Sequence, residues 1–289
     1  MKHIPVLVEE IVNFLSPVTG GFYVDATLGT GGHSRRILES CPDARVTGMD
    51  VDPAAVALAV ENLKDFGGRF TAVTDNYRNI AAVTERFGKA DGILADLGMS
   101  SLQLDDPSRG FSFGADGVLD MRMSPRLPLT AADVVNKFPA DELERIFREY
   151  GDERYARRIA GAVASERKSR AFCGAADFAA FVASKAPRGR GGIHPATRVF
   201  QALRIYVNSE LDNLDALLAA APAALKSGGR LAVISFHSKE DGAVKRAFKS
   251  MAADGTARLL TKKPVRPSDG EIASNPRSRS AKLRVMEKI

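Results

Sequence analysis

Apolar side chains at Val6, Leu7, Ile11 and Leu15 recur at helical spacing, and Thr19-Gly20-Gly21 ends that pattern before a short β-type run, Phe22-Tyr23-Val24. From there strand and helix patterns alternate: strand 22–26, a glycine-rich turn, helix 32–40, strand 45–50, helix 53–65, strand 70–74, helix 79–87 and strand 92–97. Such alternation predicts a parallel sheet with crossover helices. After Leu97 the rhythm stops for about a hundred residues, in which Ala140–Arg148, Arg154–Ala164 and Ala176–Ala183 read as helices with no strand between. The α/β pattern then resumes with a helix from Ser209 to Lys226, a Gly228-Gly229 stop, a strand Leu231–Phe236, a helix 239–251 and two strand candidates near 257–261 and 282–287. The fold expected is α/β, a Rossmann-like core made of 1–104 and 209–289 that carries an inserted helical domain, 105–208.

Composition narrows the class. In 289 residues, 45% apolar and 26% charged, there is enough chain for a sizeable core, and the balance is that of a soluble globular protein. The longest apolar stretch, Leu214–Leu225, contains Asp215 and Pro222 and is too short to span a bilayer, so neither export nor a membrane is expected. Two cysteines, Cys41 and Cys173, build no metal site and no disulfide framework, which suits a reducing cytoplasm. The net charge is +6, and the segment 262–289 holds eight Lys or Arg against three acids. That segment is read either as a solvated end or as a phosphate-binding arm; Arg167, Lys168, Arg170, Arg188 and Arg190 form a second basic region, and together the two favour a polyanionic partner.

The candidate chemistry lies at predicted strand ends. The first strand runs into Asp25-Ala-Thr-Leu-Gly29-Thr-Gly31-Gly32-His33, where glycines allow a tight turn and close backbone approach to a ligand at a helix N-terminus. A merely tight turn would also call for glycine. A dinucleotide fingerprint starting at Gly29 requires glycine at position 34, which is Ser34, whereas Asp25 fits the D/E-x-x-x-G-x-G turn of methyltransferases. Asp50 ends the second strand, where a carboxylate meets the ribose hydroxyls of an adenosine ligand, and Asp52 suits the cap of the following helix. Either NAD or S-adenosylmethionine satisfies Asp50. At the third strand end, Asp75-Asn76-Tyr77 offers polar groups and a ring for an adenine, although a lone Tyr also packs.

The fourth strand delivers Asp96-Leu-Gly98-Met-Ser-Ser-Leu-Gln103, a carboxylate followed by small residues that leave room for a substrate. Methyl transfer from a sulfonium depends chiefly on alignment, worth up to roughly 7–11 kcal/mol in favourable cases. Were the methyl acceptor an exocyclic amine, it would further need a hydrogen-bond acceptor to hold it pyramidal, a role open to Asp96 or to a nearby backbone carbonyl. His237, after the fifth strand, is either structural or a contact for RNA or a proton.

These motifs resemble the RsmH (MraW) type methyltransferases over essentially the whole chain. The resemblance rests on His3-Ile-Pro-Val-Leu, Gly31-Gly32-His33-Ser34, Asp96-Leu-Gly-Met-Ser-Ser, Gln103-Leu-Asp-Asp, Arg109-Gly-Phe-Ser-Phe, Leu119-Asp-Met-Arg-Met, the run His194-Pro-Ala-Thr-Arg-Val-Phe-Gln-Ala-Leu-Arg-Ile, Ser235-Phe-His-Ser and Asn275-Pro-Arg-Ser-Arg-Ser-Ala-Lys-Leu-Arg. It implies S-adenosyl-L-methionine as cofactor, methylation of a cytidine N4 amine in 16S rRNA of the small ribosomal subunit near the P site, and no metal. Cofactor contacts are implied at Gly31, Gly32, His33, Asp50, Tyr77, Asp96 and Gln103, with the helical insertion on the substrate side. Departures are Lys239 and Gly242 where Leu and Arg are usual, and Leu102 where Pro is common. Asp96-Leu-Gly-Met also stands where many enzymes acting on exocyclic amines carry D/N-P-P-Y/F, so the catalytic role of Asp96 is not copied from them. Two rival readings are a nicotinamide-dependent oxidoreductase, disfavoured by Ser34, and an RNA-binding assembly factor with a vestigial core. Whether the chain dimerises is left open.

Overall fold

The computed structural model describes residues 5–113, 117–186 and 194–289. His3 and Ile4 of the first motif, and Arg188 and Arg190, lie outside the described residues. The chain divides into two compact units, 1–98 with 211–289, and 99–210. The expected boundaries were 104/105 and 208/209.

The first unit contains α1 (Val8–Leu15), β1 (Phe22–Asp25), α2 (Gly32–Ser40), β2 (Arg45–Asp50), α3 (Pro53–Asn62), β3 (Phe70–Thr74), α4 (Ile80–Phe87) and β4 (Ala90–Asp96). The second unit holds α5 (Ser101–Asp105), α6 (Ala131–Lys137), α7 (Ala140–Glu149), α8 (Ala156–Glu166), α9 (Ala175–Lys185) and α10 (Thr197–Asn208). The first resumes within α11 (Glu210–Ala224) and ends with β5 (Leu225–Ser235), α12 (Ser238–Ala253), β6 (Ala257–Leu259), α13 (Asp269–Ser274) and β7 (Lys282–Lys288).

The seven strands lie in the order β3-β2-β1-β4-β5-β7-β6. All pairings from β3 to β5 are parallel, and β7 runs antiparallel to both β5 and β6. Period-two alternation sends successive side chains to opposite faces. Phe22, Val24, Ile93, Ala95, Leu231 and Val233 join a core with α4, α11 and α12. Tyr23, Leu94, Ala232, Ile234, Leu283 and Val285 join another with α1 and α2. Both faces are therefore dry, as a parallel sheet covered by crossover helices requires. Each fully buried aliphatic side chain adds roughly 1.5–3 kcal/mol.

β1 and β4 lie side by side at the centre of the sheet, between β2 and β5, and the strand order reverses between them. Ligands of open α/β sheets bind outside the strand carboxyl ends at such a switch point.

The second unit has its own core, in which Phe147, Ile159, Phe172, Phe178, Val199 and Leu203 meet. Its helix α10 takes in the His194–Ile205 motif from Thr197 onward, and α5 and α6 are also present, none of which the apolar spacing had singled out. Before α6 the backbone passes through Met121 at φ 63. That left-handed turn is held by Asn208, which donates to the Met121 carbonyl (2.7 Å) and accepts from the Met123 N–H (2.6 Å).

Among the limits that differ from those expected, the larger shifts fall in α3 and β5. α3 stops at Asn62, and Lys64–Arg69 forms a 3-10 segment instead. β5 begins at Leu225, before the Gly228-Gly229 pair, because the pairing with β4 shifts register there: Ala90 lies opposite Leu225, but Gly92 lies opposite Arg230. The glycines are a bulge within the strand rather than a stop before it.

Candidate functional site

Five residues, Asp25, Thr27, His33, Ser34 and Asp96, converge where β1 and β4 end. Asp25 is fully buried, accepting a 2.7 Å hydrogen bond from Ser34 Oγ and a 3.3 Å one from the Thr27 N–H. Thr27 Oγ1 accepts the backbone N–H of Asp96 at 2.6 Å, tying the two strand ends together. His33, on the first turn of α2, brings Nε2 to 3.5 Å from Asp96 Oδ2. Burial raises the Asp25 carboxyl above its ordinary value, opposed by the neighbouring His33 and by the Ser34 and Thr27 hydrogen bonds. Ser34, the residue that breaks the dinucleotide fingerprint, is thus the hydroxyl that anchors Asp25. A polar side chain in place of that glycine was the available signal, and Thr27 and Ser34 are the contributors that motif reading passed over.

Beside this cluster the turn after β1 presents backbone. Gly31 sits at φ 86 and caps α2, and a Cβ there would lie 2.7 Å from Leu63 Cδ1. Gly29 has φ 51, with nothing within 4 Å of the position a Cβ would take, so its backbone borders open space. Its N–H donates to Asp50 Oδ2 at 2.8 Å, while the Asp52 N–H donates to Asp50 Oδ1 at 2.9 Å. Burial pushes the Asp50 carboxyl up to about 6, against those two hydrogen bonds. Each Asp50 oxygen retains acceptor capacity for a further donor. Asp52 caps α3 by accepting from the Ala54 N–H, as expected of that acid.

The third strand end is shaped by local turns. Asp75 Oδ1 accepts from the Asn76 N–H and from Asn79 Nδ2, and Asn76 Oδ1 accepts from the Arg78 N–H. Tyr77 is half-buried and packs against the core on the α4, α11 and α12 face.

Gln103 lies in the second unit, buried, with its side chain closing a capping box with Ser100 and donating to the Met123 carbonyl at 3.2 Å. His237 is the N-cap of α12: its Nδ1 accepts from the Glu240 N–H at 3.4 Å, and the Glu240 carboxylate accepts from the N–H groups of Phe236 and His237. One ring nitrogen of His237 therefore works for the fold.

The basic segments are partly committed to structure. Residues 282–288 form β7, with Lys282 and Arg284 paired to Asp241 and Lys288 donating to the Leu225 carbonyl. Lys262, Lys263, Arg266, Arg277 and Arg279 remain exposed. In the second unit, Arg167 donates to the Val135 carbonyl and Arg170 pairs with Glu166 and Asp177.

The first unit offers what S-adenosylmethionine requires. An adenosine needs a carboxylate for its ribose diol, and Asp50 stands at the end of β2. A nucleoside bearing a charged amino-acid arm needs exposed backbone at a glycine turn, and Gly29 to Gly31 provide it. Buried polar atoms awaiting partners mark a polar ligand, and both ring nitrogens of His33 and Oδ1 of Asp96 lack a hydrogen bond. The residues fit.

Known proteins point the same way. A family model described as the MraW methylase family matches residues 1–289. Ribosomal RNA small subunit methyltransferase H of Carboxydothermus hydrogenoformans is 48% identical, the match covering 100% of this chain and 98% of that protein. The protein of the same name from Picosynechococcus sp. is 50% identical, over 99% of this chain and 96% of its own length. A solved Clostridium thermocellum structure carrying an rRNA-methylase name has a TM-score of 0.50 at 13% identity, covering 100% of both chains, which bears on the fold alone. With a class I methyltransferase sheet and a family match from end to end, the chain belongs to the MraW methylase family, and its cofactor is S-adenosyl-L-methionine.

Proposed function

We propose that this chain methylates the exocyclic N4 amine of a cytidine in 16S rRNA of the small ribosomal subunit, near the P site. The observation that carries the chemistry is Asp96: it ends β4 with Oδ1 buried and without a hydrogen bond, and small residues follow it. The RNA class is supported by the names of relatives about half identical over the whole chain. N4 and the P-site location are what the resemblance carried by the sequence motifs implies.

When bound, S-adenosylmethionine supplies an electrophilic methyl on a sulfonium. Asp50 would accept the ribose hydroxyls, the Gly29–Gly32 turn and His33 would border the amino-acid arm, and Tyr77 would meet the adenine, with Gln103 proposed as a further contact from its sequence motif. Asp96 accepts a hydrogen bond from the substrate amine, holds the nitrogen pyramidal, and takes up the proton lost on methylation. The helical unit, taken as 105–208, recognises the RNA, and the target base enters unstacked.

The test is transfer of labelled methyl to small subunits from cells lacking this protein, followed by digestion to nucleosides. N4-methylcytidine, or its 2′-O-methylated form, is the expected product. Label on another nucleoside, or none despite cofactor binding, would reject the substrate.

A further inference from the structure

His33 is 6% exposed, and among the described residues neither of its ring nitrogens has a hydrogen-bond partner. A buried imidazole without partners costs free energy unless a partner is close at hand. Two carboxylates of the described residues act on it: Asp96, from β4, with Oδ2 3.5 Å from Nε2, and Asp25, from β1. Asp25 already accepts hydrogen bonds on both oxygens, from Ser34 and Thr27. Asp96 has a side chain 20% exposed and an unpartnered Oδ1. Its backbone is pinned by Thr27 Oγ1, so its carboxylate is the group free to adjust. Hydrogen bonds of this kind are often long in a ligand-free site and tighten when it fills.

We propose that His33 is a positioning residue for methyl transfer, whose Nε2–H clamps the Asp96 carboxylate and orients it for the substrate amine. The inference rests on Asp96 being the acceptor for that amine. The neutral imidazole with the proton on Nε2 suits the arrangement, because Nε2 is the nitrogen that faces Asp96. The bond from the amine nitrogen to the methyl group would form as the bond from that methyl to the sulfonium breaks, releasing a neutral thioether, and the amine gives up one proton to the Asp96 carboxylate, from which it leaves to water. His33 loses and gains none. Its work is to hold the carboxylate in one rotamer.

The experiment compares His33→Leu, which removes the donor, with His33→Gln, whose amide reaches about as far as Nε2, and with Asp96→Asn. Two quantities are read on the full chain: cofactor affinity by calorimetry and single-turnover methyl transfer at saturating cofactor. His33→Leu should slow transfer roughly 10- to 100-fold, the worth of a hydrogen bond to a charged group, a larger loss than it causes in cofactor affinity. His33→Gln should restore most of the rate. A Leu variant that transfers methyl at the wild-type rate, or whose loss is confined to cofactor affinity, would overturn the proposal, as would a Gln variant no better than Leu. Should the Leu variant fail to fold, His33→Asn, whose amide falls short of Asp96, takes its place in the same comparison. If Asp96→Asn transfers methyl at the wild-type rate, the reading of Asp96 itself is at fault, and that outcome is separate from the behaviour of His33.

Discussion

The Gly29 N–H donates to Asp50 Oδ2 at 2.8 Å, so the carboxylate that meets a ribose also fixes the turn that meets the rest of the cofactor. Replacing Asp50 by Ala removes both functions together. S-adenosylmethionine affinity should fall at least about 100-fold, since each hydrogen bond to a charged group is worth roughly 1.5–3 kcal/mol. Calorimetric titration decides the matter, and a loss below threefold would show that Asp50 does not hold the ribose.

The same carboxyl gives a pH dependence. Burial has lifted Asp50 to about 6 in the cofactor-free protein. The ribose hydroxyls donate to the ionised form, so affinity should be level above neutrality and decline as pH falls through 6, approaching tenfold weaker per unit once the group is protonated. The corresponding stability effect has the opposite sense: with its folded value raised above the ordinary 3.8, Asp50 favours the folded state most below pH 4, and that contribution is lost as pH rises through 6. Affinity that does not change between pH 8 and pH 5 would remove Asp50 from the binding set.

Gly31→Val tests the turn by sterics. The residue would have to hold φ 86 with a Cβ 2.7 Å from Leu63 Cδ1. A loss of about 1–3 kcal/mol in urea unfolding is expected, together with weaker cofactor binding. Full stability would mean that the turn can relax.

In the helical unit, Asn208→Leu leaves the Met121 carbonyl and the Met123 N–H without the partners that hold a left-handed turn. Each buried group left unpaired costs roughly 1–3 kcal/mol. Thermal unfolding should therefore drop by several degrees. An unchanged melting temperature would indicate that the loop is not held by this side chain.

The basic residues should separate into two classes. Lys262, Lys263 and Arg266 are exposed, and changing all three to Gln should leave stability intact while lowering the salt dependence of RNA binding by roughly 0.7–0.9 of a log unit for each phosphate they neutralise. Arg284→Gln, which breaks a buried 2.7 Å pair with Asp241, should destabilise the protein instead. A salt slope unaltered by the triple substitution would free this segment of any role in RNA binding.

The sheet was legible because its strands are short apolar runs separated by patterned helices, and β2 and β3 fall on the residues expected. Helices α5, α6 and α10 were not. The first two are short, and their starts are set by the side chains of Ser100 and Thr130 acting with Gln103 and Asp133, a signal of capping rather than of apolar period. In the site, Asp25, Asp50 and Asp96 were readable from strand ends, since topology alone brings those ends together. Thr27 and Ser34 were not readable as site residues, because nothing in the spacing says that one hydroxyl would tie β1 to β4 and the other would donate to Asp25. His237 stands beside the fifth strand, as expected, yet its cap on α12 depends on Glu240, which lies beyond the Ser-Phe-His-Ser motif.

The antiparallel seating of β7 between β5 and β6 bears on how the chain is made. Because β7 follows both of its neighbours in the sequence, β5 emerges from synthesis with an unpaired edge that includes Leu231, Val233 and Ile234, and it stays open until Leu283, Val285 and Met286 arrive. An open apolar edge is a template for pairing with another molecule. Premature termination within the final strand is thus expected to yield aggregate rather than a slightly shortened enzyme, and the burden on chaperones should be concentrated in the interval between those two strands.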